Sequence, residues 1–102
     1  MPSFRAQFEV LGLHPGHRPP EVEETLVTAI AENFHVDSRE IDVVAGTPRV
    51  TVRFTVPDAS GSEEVELAVM ARDAALEAIE PVAQIGRHWL LVRSGGRWAP
   101  VA

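Results

Sequence analysis

The chain has 102 residues, 45% of them hydrophobic and 24% charged, with a formal net charge of -6, which suits one folded domain with one core and neither two domains nor a disordered chain. It has no Cys, and all nine of its basic residues are Arg; disulfide scaffolds, thiolate nucleophiles and Cys-based zinc sites are excluded, as are Schiff-base chemistry and a P-loop lysine. The acidic balance opposes general binding to nucleic acid, because affinity for phosphates rests on basic side chains displacing counterions, and equally disfavours acidic partners and anionic lipid.

Phe4, Ala6, Phe8 and Val10 alternate with Arg5, Gln7 and Glu9, the period of a strand with one buried and one wet face. The octet "LHPGHRPP" follows. Pro15-Gly16 is a favoured centre for a type II turn, Pro fixing one backbone angle and Gly supplying the positive one. Val22, Leu26, Ala29, Ile30 and Phe34 then recur at helical spacing. Pro20 sits near the first turn, and Glu21, Glu23 and Glu24 lie where the positive end of the helix dipole favours acids.

"EIDVVAG" and "RVTVRFTV" read as two strands of a hairpin turning at Gly46-Thr47-Pro48. "PDASGS" is a loop ending on Ser62, the expected N-cap of a second helix that runs to about Ile79, where Pro81 stops it. "HWLLVRSGGRWAPV" supplies a strand, a tight Gly95-Gly96 turn and a short return strand with Pro100 on an edge.

The order strand, helix, strand, strand, helix, strand predicts a single α+β domain over residues 1–102. Its architecture is a ferredoxin-like βαββαβ sandwich, with two helices on one face of an antiparallel sheet and a short extra C-terminal strand. Two βαβ halves around a parallel-containing sheet would use the same element order, and periodicity alone does not separate the two. No apolar run matches a bilayer crossing and no signal-peptide pattern opens the chain, so a cytoplasmic protein is expected. The Arg-only, Ala- and Val-rich composition points to a GC-rich bacterial genome.

Three sites are worth testing. His14 and His17 flank the Pro15-Gly16 turn and could face one transition metal. That position resembles the loop where metal-chaperone domains of this fold class carry their Cys pair, although this chain has no thiolate. Turn chemistry alone accounts for every Pro and Gly in the octet, and we prefer it to the metal reading; no cofactor is expected.

The second site is Pro2. "MPSFRAQFEV", Arg18, the helix "PPEVEETLVTAIAENF" and "DSREIDVV" are similar in outline to tautomerases that use an amino-terminal proline as general base. The likeness covers about the first 45 residues, with a longer turn after the first strand than that family has. It implies Pro2 as the base, Arg5, Arg53 or Arg18 as clamps on an acidic substrate, and a trimer.

The third is the sheet face away from the helices, where Arg5, Gln7 and Glu9 should lie beside Thr51, Arg53 and Thr55. RNA-recognition domains of this architecture carry base-stacking aromatics at such positions, and this chain does not. Mixed charge there suits either a solvated face or a self-complementary dimer surface on which Arg meets Glu. Trp89 and Trp98, flanking the Gly95-Gly96 turn, could anchor a partner, but we prefer the reading in which each packs on the end of the core. No serine sits in a nucleophile elbow, and the acidic runs read as helix-start charges. The expected function is therefore a small, non-enzymatic binding or interaction module, a homo-oligomer with a dimer favoured, in contact with itself or another protein. The alternatives are the proline tautomerase and, third, a metal-binding module.

Overall fold

In the computed structural model, which describes residues 1–101, the order is β1 (Ser3–Leu13), α1 (Pro19–Ala31), β2 (His35–Val44), β3 (Thr47–Thr55), α2 (Gly61–Ile79), β4 (Ala83–Ser94) and β5 (Arg97–Pro100). The sheet order is β2-β3-β1-β4-β5 and every neighbouring pair is antiparallel. This is the ferredoxin-like α+β sandwich, and the arrangement of two βαβ halves is set aside because β1 has an antiparallel neighbour on each side. No described helix is long and apolar enough to cross a membrane.

Alternation in β1 and β3 decides the layering. Phe4, Ala6 and Phe8 face the helices with their cross-strand partners Phe54, Val52 and Val50, and all six are buried. Leu26 and Ile30 of α1 and Ile79 of α2 close the core from above. Ala68, Ala71 and Ala75 give α2 a buried face of small side chains, which lets the helix approach the sheet closely. Phe4 and Phe54 stack with centroids 6.0 Å apart, and Phe34 tilts onto Phe54 at 6.1 Å. Such contacts add to the burial that dominates the stability.

Several boundaries differ from the sequence reading, among them the start of β4, which lies at Ala83, five residues before "HWLLV". α1 ends at Ala31, so Phe34 joins the core from beyond the helix. β2 begins at His35 because "HVDSRE", which lacks alternation, still pairs with β3 across a register shift between Val36 and Ser38. The hairpin turns one step earlier than expected, on Ala45 and Gly46 at φ +51° and +82°. Two positive angles match the twist of the flanking strands, so the two-residue turn wins over one built on Pro48. Ser60, not Ser62, caps α2: its Oγ accepts from the Glu63 N–H at 3.4 Å, and its extended backbone lets the chain enter the helix there.

Candidate functional site: the open face of the sheet

Directly opposed residues of antiparallel neighbours share a face, so the registers define rows across the side of the sheet away from the helices. One row runs Ser38, Arg53, Arg5, Leu91 from β2 to β4; the next runs Glu40, Thr51, Gln7, Trp89. The third runs Asp42, Arg49, Glu9, and reaches Arg87 across an irregularity in the β1–β4 pairing. Trp98 of β5 opposes Arg93 on the same side.

The structure thus brings Arg5, Gln7, Arg53, Trp89 and Trp98 onto one surface. Neither tryptophan belongs to the buried core. Instead each indole lies under guanidinium groups. Arg49 stands 4.3 Å from the Trp89 ring centroid and Arg87 5.4 Å. Around Trp98, Arg5 stands at 4.3 Å, Arg53 at 5.3 Å and Arg93 at 5.7 Å. All are within the range of cation–π attraction, about 0.5–1 kcal/mol each where exposed and up to about 2 where water is excluded. This roof is why Thr51, on a face no helix covers, is only 3% exposed.

The charge balance of the roof is uneven. Arg87 has a carboxylate partner: Glu9 accepts from its guanidinium at 3.5 Å and from its backbone N–H at 3.2 Å. Glu9 is held there because Gly86 leaves room; a Cβ at residue 86 would fall 2.5 Å from Glu9 Oε1. Among the described residues, Arg5, Arg49, Arg53 and Arg93 have no ion-pair partner. The Nε atoms of Arg49 and Arg53 are buried without a hydrogen-bond partner, a condition that costs about 1–3 kcal/mol per donor, and more for a charged group. The helix layer is opposite in sign: ten of the fifteen acids lie in residues 18–32 and 61–80, with only Arg18 and Arg72 against them.

Sequence reasoning places Arg5, Gln7 and Arg53 on this face but favours packing of the tryptophans on the end of the core, where they do not lie, and does not single out Arg49, Arg87 or Arg93. The parity of β4 was the available signal. Leu90 is buried, so Trp89 and Leu91 must point the other way, and Arg49 follows from Thr51 by the same period.

The other two candidates lie apart from this surface. The His17 N–H donates to the His14 carbonyl at 3.3 Å and Gly16 has φ +87°, which is the type II turn expected of Pro15-Gly16. The imidazoles serve different neighbours. His17 Nδ1 donates to Glu21 Oε2 at 2.9 Å, while His14 borders a recess formed with Leu76, Ile79 and Ile85. Among the described residues no three side chains of metal-ligating type gather. Glu21 also accepts from the Arg18 N–H at 3.0 Å, tying the octet to the first turn of α1. The His17 hydrogen bond, then the Arg18 one, hold the Glu21 carboxyl below its usual range.

Pro2 precedes β1, its carbonyl accepting from the Val56 N–H at 3.1 Å. Arg5 and Arg53 are near it on the open face, but Arg18 follows the far end of β1, whose length at about 3.3 Å per residue is over 30 Å. Comparison of the chain with protein-family models and with curated proteins finds no match in either.

Proposed function

We propose that this chain is a small, non-enzymatic binding module that works through the open face of its sheet, and that the group it receives presents carboxylates. One observation carries the reading: four guanidinium groups without ion-pair partners gather around both of the chain's tryptophans. Guanidinium groups stacked on indoles are pre-organised donors, so less entropy is lost when a carboxylate docks. Tryptophan and arginine are also the residues that most often dominate interface energetics. A homo-oligomer or another acidic protein would satisfy this surface.

Because both tryptophans lie on the face, intrinsic fluorescence reports on it alone. Titrating dilute protein with poly-glutamate should shift or quench the emission, and Arg53→Glu should weaken the response about tenfold or more, since it reverses a charge at the centre of the face. An emission spectrum indifferent both to poly-glutamate and to the protein's own concentration would mean that the face is merely solvated, and the reading would be abandoned.

A further inference from the structure

The row Asp42, Arg49, Glu9, Arg87 reads acid, base, acid, base across β2, β3, β1 and β4. Such a row is complementary to itself when turned end for end. A two-fold axis close to the strand direction, inclined to it by about half the crossing angle of aligned sheets and lying between β3 and β1 in the plane of contact, performs that operation: near the pivot β2 of one copy falls over β4 of the other, and β3 over β1.

From this we infer that the occupant of the open face is a second copy of the chain, docked face to face about that axis; the inference rests on the reading of the face as a binding surface. In the pair, Asp42 meets the partner's Arg87 and Arg49 meets the partner's Glu9, each contact occurring twice by symmetry. The neighbouring row follows the same rule: Thr51 meets the partner's Gln7, and Glu40 lies over the partner's Trp89.

The Arg49 guanidinium, stacked on Trp89 and without an ion-pair partner among the described residues, gains the partner's Glu9 carboxylate as an acceptor. Asp42 lies on the exposed edge strand and is free of ion pairs among the described residues.

Arg5 and Arg53 are the row this axis would set against each other. They stand four residues along the strands from Glu9 and Arg49, about 13 Å. Aligned sheets cross at roughly 30°, which displaces rows that far from the pivot by about 6 Å or more, beyond one strand spacing. That shift breaks both Arg53–Arg5 contacts but sets one of the two arginines against its own mate across the axis, so this row is the repulsive part of the interface.

Nucleic acid fits the face less well. The indole faces that bases would stack on are occupied by guanidinium groups, and Glu9, Glu40 and Asp42 share the surface, where they would repel phosphates.

The test is an exchange of charge. Asp42 and Arg87 are both exposed, so Asp42→Arg and Arg87→Asp should leave the fold intact, as circular dichroism would check. By light scattering the wild type should have twice the mass of the chain. Each variant alone places like charges together at two symmetric contacts and should dissociate, its dimer Kd rising roughly a hundredfold at about tenfold per reversed contact. Mixing the two variants restores opposite charges at both contacts and should bring back a mixed dimer.

A mixture that stays monomeric, or single variants that stay dimeric, overturns the arrangement. So does a wild type that is monomeric throughout; if its tryptophan emission still answers poly-glutamate, the binding surface survives and only the second copy is lost, and if it answers a single-stranded oligonucleotide instead, the occupant is nucleic acid. A measurement needing no variant stands beside these: at about 1 M salt, where charges act over roughly 3 Å, the wild-type dimer should weaken markedly, and an undiminished dimer would also overturn the proposal.

Discussion

Glu21 holds the turn "HPGH" to the start of α1. Its two oxygens take different donors, Oε1 the Arg18 N–H and Oε2 the His17 ring, so one carboxylate satisfies an open helix end and fixes the preceding turn. Because these bonds favour the ionised form, the folded carboxyl titrates below its unfolded value. The sign follows from linkage: the contribution is complete above the ordinary glutamate pKa of about 4.3 and is lost as the pH falls through the lower folded value. Thermal melts of wild type and Glu21→Gln should therefore differ near neutrality and converge in acid, with the wild type the more stable where they differ. A gap unchanged by pH would show that the carboxylate's charge plays no part. His17 thus serves the turn and the helix start together through Glu21.

At the scale of elements, both helices begin well and end poorly. α1 and α2 carry acids in the first turn but no basic residue in the last, and each has a glutamate as C-cap, Glu32 and Glu80. An acid at the negative end of the dipole is unfavourable. Glu80→Arg should stabilise the fold by about 0.3–1 kcal/mol, read as a rise in Tm; a fall would mean that Glu80 has a favourable partner. The same elements show what a single sequence can carry. Period-two alternation in "FRAQFEV" and "VTVRFTV" made β1 and β3 legible together with their inner and outer faces, because one buried face imposes a pattern on every second residue. β2 was half hidden, since an edge strand that is exposed along nearly all its length imposes no such pattern. Trp89 and Trp98 are expected on the end of the core, and are not there, for a related reason. An indole covered by arginines is as compatible with strand periodicity as one packed in a core, and only the pairing of β4 and β5 distinguishes them.

Over the whole molecule, charge is segregated by layer: the helices carry most of the acids and the open face most of the arginines. Raising salt from about 0.1 M to about 1 M shortens the range of these charges from roughly 10 Å to roughly 3 Å, with opposite effects on the single chain and on a pair of chains. In dilute protein, screening relieves repulsion among the glutamates of α1 and α2, and Tm should rise. In concentrated protein a face-to-face dimer adds stability through mass action, and screening removes it, so the dependence of Tm on protein concentration should be large at the lower salt and small at the higher. The competing self-contact is apolar. β1 and the β2–β3 hairpin line a cleft of about 480 Å³ with Leu11, Leu13, Ile41 and Val43 beside the start of α1, and hydrophobic burial there would be insensitive to screening or strengthened by some salts. A concentration dependence of Tm that persists undiminished at the higher salt would move the interface from the arginine face to that cleft. One that vanishes with salt places it where the four guanidinium groups already lack their acceptors.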